Sequence, residues 1–132
     1  MKHYVYDAGA LGLVMAGDNR LRVFTSEVSR GEATAHSSVV NLAELYYKTG
    51  QKLGIETAET WFVRIANSNL QIEHADPDLD RDAGIHKIHY RGKLSLADCF
   101  AVAETTRRDA VLLTTDRDME QVKEIQVRYF KV

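Results

Sequence analysis

Short strand-like runs alternate with longer helical patterns along the chain, and this alternation limits the fold more than any other feature. Tyr4–Asp7 reads as a strand running into the small-residue turn Ala8-Gly9-Ala10, with a helix following through Met15. Leu21–Ser29 carries a weaker helical pattern and Ala33–His36 a short strand. Ser38 is placed to cap a stronger helix, Val39–Lys48, which Gly50 is expected to end. Its apolar residues Val39, Leu42, Ala43 and Tyr46 share one face. Ile55–Ala66 is again amphipathic, Leu70–His74 alternates as a strand, and Asp78–His89 reads as a helix with a turn at Gly92. Leu96–Arg107 is a helix apolar nearly all round. Ala110–Leu113 is a buried-type strand ending in Thr114-Thr115-Asp116, and Val127–Val132 is the last strand.

Strands separated by helices predict an α/β fold with a mostly parallel sheet. The 132 residues, with Pro77 as the only proline and no low-complexity tract, predict a single domain over residues 1–132. Folding a chain of this size hides about 68% of its unfolded surface, enough for an ordinary core. The lone cysteine, Cys99, excludes an internal disulfide framework and any CxxC site. No apolar run approaches a membrane span, and the short strand-like N-terminus lacks a signal peptide's apolar region, so a cytoplasmic protein without membrane contact is expected. The formal net charge of −2 gives no whole-molecule attraction to nucleic acid. A polyanion would need a local basic patch or a metal ion.

Parallel sheets carry their sites at the C-terminal ends of strands. Asp7 and Asp116 stand at such ends, and either would also serve as a helix N-cap. Asp98 lies in an otherwise apolar run, three residues after Ser95, which is the spacing of a capping box. Glu44 sits mid-helix, about 40° outside the apolar arc, where no cap needs it and a solvated edge residue is the ordinary occupant. If the four converge they repel: two carboxylates about 5 Å apart at an effective dielectric of about 20 cost roughly 3 kcal/mol. Protons or a divalent cation must relieve that charge. Oxygen-only sites suit Mg²⁺ or Mn²⁺, which also inverts the local sign for a phosphodiester.

Tyr4-Val5-Tyr6-Asp7-Ala8, Asn41-Leu42-Ala43-Glu44-Leu45, Leu94-Ser95-Leu96-Ala97-Asp98 and Leu113-Thr114-Thr115-Asp116-Arg117-Asp118 resemble, in order and spacing, the four signatures of PIN-domain nucleases. The chain looks most like the VapC toxins of toxin–antitoxin pairs. The resemblance implies a PIN-like fold, with a parallel sheet flanked by helices on both sides. It implies Mg²⁺-dependent endoribonuclease activity, in which metal-bound water hydrolyses RNA to a 5′-phosphate and a 3′-hydroxyl. It further implies a homodimer and a cognate antitoxin. By the same resemblance Asp7 and Asp98 are the principal metal ligands, with Glu44 and Asp116 completing the acidic pocket. Thr114 hydrogen-bonds the site, and Asp118 is an extra acid at a second metal or at the rim. Met119 stands where the family often has an aromatic residue.

Arg91 and Lys93, just before Ser95, and Arg117, beside Asp116, are candidate phosphate contacts, though ordinary exposed charges would read the same way. His74, His86 and His89 lack the further ligand a zinc site needs, and Cys99 has no partner histidine. Trp61, Phe62 and Ile65 form an apolar stripe that serves a core or a partner equally well. Two rival readings stay open. One is a receiver- or phosphatase-like phosphate-handling domain, weakened by Gly9 two residues after Asp7. The other is a non-catalytic binding module whose acids only cap helices.

Overall fold

Period-two burial along the strands decides which residues meet which layer. The computed structural model describes residues 1–132. In β1 (Lys2–Tyr6), Tyr4 and Tyr6 enter one core cluster and Val5 the other. In β4 (Val111–Thr114), Leu113 and Leu112 divide in the same way. With β2 (Ala33–Ser38), β3 (Gln71–Glu73) and β5 (Gln126–Tyr129) they form one five-stranded sheet, ordered β3-β2-β1-β4-β5. Every neighbouring pair is parallel, so the sheet is wholly rather than mostly parallel.

Six helices cover it. The first cluster takes Leu11 from α1 (Ala8–Met15), Phe24 from α2 (Arg22–Ser29), Leu42 and Leu45 from α3 (Val39–Leu53), and Ile65 from α4 (Ile55–Ala66). The second takes Leu79 and Ala83 from α5 (Pro77–His89) and Cys99, Ala101, Val102 and Ala103 from α6 (Leu96–Arg108). Both faces of the parallel sheet are thus covered, as buried parallel strands require. No helix is long and apolar enough to cross a membrane.

Several boundaries differ from the sequence expectation by a few residues, and two of them bear on the packing. Gly50 does not end α3. It faces Ala58 of α4, where an added Cβ would make an ordinary contact at 3.8 Å, and the helix runs on until Gly54 turns the chain at φ +96°. The last strand stops at Tyr129, earlier than expected, after which Phe130 N–H still donates to Thr114 O at 2.8 Å.

The connectivity creates the crevice. After β1 the chain builds β2 and β3 on one side, then returns to add β4 and β5 on the other. The carboxyl ends of β1 and β4 therefore border a topological switch point, the place where open α/β sheets receive ligands. The N-terminal ends of α3 and α6 are tied together there. Asn41, 1% exposed, donates from Nδ2 to Ser38 Oγ at 2.9 Å and to Ala97 O at 3.1 Å.

Candidate active site

Each of the four acids is placed by a local rule of chain geometry. Asp7 follows β1 and caps α1, with Ala10 N–H donating to Oδ1 at 2.8 Å, while the Thr114 hydroxyl donates to Oδ2. Asp98 is the third residue of α6 and forms the capping box foreseen with Ser95: Ser95 N–H reaches Asp98 Oδ2 at 3.0 Å and Asp98 N–H reaches Ser95 Oγ at 3.1 Å. Asp116 caps the 3-10 turn Arg117–Gln121 through Asp118 N–H at 2.9 Å. Glu44 caps nothing. It is the sixth residue of α3, about one turn beyond Asn41, and Lys48 Nζ approaches its Oε2 at 2.7 Å.

Capping does not remove these side chains from one another. Asp7, Glu44, Asp98 and Asp116 all line a single open cavity of about 490 Å³ at the β1/β4 switch point. Four elements distant in sequence supply them. A second groove of about 390 Å³, between α1, α2 and the approach to β3, has no carboxylate in its wall.

Electrostatics records the crowding. Asp7, 4% exposed, has its carboxyl pushed up from an ordinary 3.8 to about 7. Burial is the main cause. The bonds from Thr114 and Ala10 oppose it, and the charges of Asp98 and Glu44 add to it. Asp98 is also raised, first by burial and then by the Asp116 carboxylate, against the pull of the Ser95 N–H. An all-oxygen, charge-stressed donor set of this kind fits a hard divalent cation. As they stand, no three histidine, cysteine or acidic side chains anywhere in the chain are gathered closely enough to hold one.

The other predicted site residues divide. Thr114 is fully buried and joins two acids, donating to Asp7 and accepting Asp116 N–H at 2.9 Å. Arg91 and Lys93 are exposed in the turn before Ser95 and do not line the acidic cavity. Arg117 and Asp118 are exposed on a separate shallow cleft. His74 and His89 are exposed, and Cys99 is buried with its thiol held up mainly by burial.

The structure adds residues that reading along the sequence missed. Lys48 and Lys52 are the only cationic side chains lining the cavity, and Trp61 of α4 lines it as well. Gly9 and Thr115 also line it, packed so closely that a Cβ on Gly9 would collide with the Thr115 side chain.

A model of the PIN domain family matches residues 4–125, nearly the whole chain. The chain belongs to the PIN domain family. PIN domains are typically nucleases and usually bind divalent metals. Among solved structures, VapBC2 from Rickettsia felis, bound to a DNA fragment from its promoter, aligns with a TM-score of 0.75 at 15% identity, over 96% of this chain and 98% of that one. DNA-bound VapBC from Salmonella typhimurium aligns at 0.74 and 18%, over 98% of each chain. VapC20 from Mycobacterium tuberculosis, a Sarcin-Ricin loop cleaving toxin, aligns at 0.71 and 14%, again over 98% of each. At these identities the likeness establishes the PIN fold shared with VapC toxins and no more. A search of curated proteins found no significant match.

Proposed function

We propose that this PIN-domain protein is a divalent-metal-dependent endoribonuclease and the toxin of a toxin–antitoxin pair, acting as one cytoplasmic domain over residues 1–132 and assembling as a homodimer. The observation that carries the nuclease reading is the meeting of Asp7, Glu44, Asp98 and Asp116, from four separate elements, in one cavity. The toxin reading draws on the VapC structures that share the fold, among them a sarcin-ricin loop cleaver and VapBC assemblies solved with DNA.

Asp7 and Asp98 would be the principal metal ligands, with Glu44 and Asp116 completing the shell directly or through water. A bound Mg²⁺ or Mn²⁺ would offset their charge, draw in a phosphodiester oxygen and lower the pKa of an attacking water. The chain's own part is positioning and proton handling. Thr114 fixes the orientation of Asp7 and holds the backbone at Asp116. The Ser95 box fixes Asp98. The carboxylates help to accept the proton released by water. Lys48 holds Glu44 toward the cavity. Arg91, Lys93 and Arg117, away from the cavity wall, would touch RNA beyond the cleaved bond.

The test is cleavage of RNA by the purified protein with Mg²⁺, reading the ends produced. The reading expects 5′-phosphate and 3′-hydroxyl ends, no cleavage in EDTA, and no cleavage by a folded Asp7→Asn or Asp98→Asn variant. Undiminished cleavage by Asp98→Asn, or none by the wild type on any cellular RNA, overturns it. One observation favours the non-catalytic alternative: all three aspartates act as helix caps. Glu44, which caps nothing yet faces the same cavity, weighs against it.

A further inference from the structure

The junction of α3 and α6 holds a buried amide where an apolar side chain would pack. Asn41 is 1% exposed, and its Oδ1 is buried without a hydrogen-bond partner. Ala97 O can only accept, so the amide atom 3.1 Å from it is Nδ2 and Oδ1 is the end left unpaired. A buried polar atom without a partner lowers stability. Leucine has the same branching as asparagine and would bring no polar atom. Neither acceptor relies on the amide alone. Ser38 Oγ also takes the Asn41 backbone N–H at 3.1 Å. Ala97 O, inside α6, remains the acceptor for the helix N–H four residues on. Stability therefore does not account for an asparagine at this position.

What the amide fixes is placement. Glu44 follows Asn41 by three residues, so the two share a face of α3. Ala97 O belongs to the peptide unit that leads into Asp98, and the N–H of that same unit donates to Ser95 Oγ at 3.1 Å. A planar peptide held at both its oxygen and its nitrogen is hindered from rocking. Asp98 thus starts from a fixed position relative to the turn of α3 that carries Glu44. We infer that Asn41 is a positioning residue for the divalent ion: it sets the separation of Glu44 from Asp98 across the cavity, and so governs both the affinity for the ion and the choice among ions. This inference rests on the metal site of the nuclease reading and deepens it. Asn41 does not line the cavity, so it acts through α3 and α6 and not as a ligand. Mg²⁺ demands near-ideal octahedral geometry at short distances, whereas Ca²⁺ accepts longer and more flexible coordination. A site whose walls are free to shift loses Mg²⁺ before it loses Ca²⁺.

The experiment compares the metal-free wild type with Asn41→Leu, Asn41→Ala and a remote core control, Phe24→Leu. Free Mn²⁺, read by electron paramagnetic resonance, reports its binding and its displacement by Mg²⁺ and by Ca²⁺, and urea unfolding reports stability. The inference expects Asn41→Leu to match or exceed the wild-type urea midpoint while binding Mg²⁺ roughly 10- to 100-fold more weakly. Ca²⁺ affinity should fall less, so that the preference for Mg²⁺ over Ca²⁺ declines. Phe24→Leu should lower the midpoint and leave both affinities within about twofold. If Asn41→Leu fails to fold, Asn41→Ala carries the test with the same expectation for the ions, since it removes the amide without adding bulk. Wild-type Mg²⁺ affinity in a folded Asn41 variant, equal losses for Mg²⁺ and Ca²⁺, or the same loss in Phe24→Leu overturns the positioning role. Mn²⁺ binding that Asp98→Asn weakens and Asn41→Leu does not removes that role alone and leaves the nuclease reading standing. A wild-type protein that binds no Mn²⁺ removes both.

Discussion

Thr114 donates its hydroxyl to the carboxylate of Asp7, although 107 positions separate the two in sequence. The bond follows from the sheet. Tyr6 pairs with Leu113 across β1 and β4, so the next residue of each strand meets at the same level. The same oxygen accepts Asp116 N–H at 2.9 Å, which makes one buried hydroxyl the joint between two candidate ligands.

Thr114→Val removes that joint at nearly constant volume. It leaves Asp7 Oδ2 and the Asp116 N–H without their partner, and buried groups left unpaired cost about 1–3 kcal/mol. Urea unfolding should show a loss of that size, and cleavage should fall more than tenfold. Thr114→Ser, which keeps the hydroxyl, should recover most of both. An unchanged midpoint in Thr114→Val would show that the hydroxyl bond contributes little.

The buried Asp7 carboxyl sets a pH dependence. Its folded value, about 7, lies above the ordinary 3.8, so between these limits the folded state holds a proton that the unfolded chain has released. The unfolding free energy of the metal-free protein therefore falls as pH rises through this window, by an amount on the order of 4 kcal/mol at full effect. Asp98, also raised, acts in the same direction. Melting in EDTA from pH 5 to pH 8 should show a declining midpoint. Asp7→Asn should flatten the decline and stabilise the protein at pH 8 while abolishing cleavage.

Gly9→Ala tests how closely the start of α1 must approach the loop after β4. The added methyl meets Thr115 Oγ1, with Thr115 Cβ at 3.0 Å and Cγ2 at 3.2 Å behind it. The loop that carries Asp116 must then move. Overpacking of this kind costs about 1–3 kcal/mol. Cleavage should drop by at least tenfold, and Gly9→Ala/Thr115→Gly should regain part of it, because the second change removes the obstructing side chain. A single variant with normal activity would show that the approach is not needed.

How much was legible in the sequence follows from what each feature depends on. The strand-ending acids and the Ser95–Asp98 box were readable because a cap is a local rule, fixed by spacing along one stretch of chain. The α/β class was readable because short strand-like runs recur between helical segments along the whole chain. The length of α3 was not, since Gly50, an ordinary helix terminator, lies inside the helix against Ala58 of α4, a neighbour that the local sequence does not reveal. Asn41 stood inside a recognised motif, yet its bond to Ala97 O, which aligns α3 with α6, joins residues 56 apart and leaves no local trace. Lys48 and Lys52 carry a signal in their fourfold spacing from Glu44, whereas Arg91, Lys93 and Arg117, which stand beside the other acids in sequence, do not line the cavity. Trp61 reaches the cavity only through the packing of α4 on α3.

The central claim is that four carboxylates distant in sequence act together on one divalent ion. Calorimetric titration of the metal-free protein with Mn²⁺, beside Asp98→Asn shown to be folded by circular dichroism, tests it most directly. The account predicts saturable binding by the wild type and at least tenfold weaker binding by the variant, with the wild type alone gaining thermal stability from the ion. Equal Mn²⁺ affinity in the two proteins, or no binding by the wild type, would contradict it.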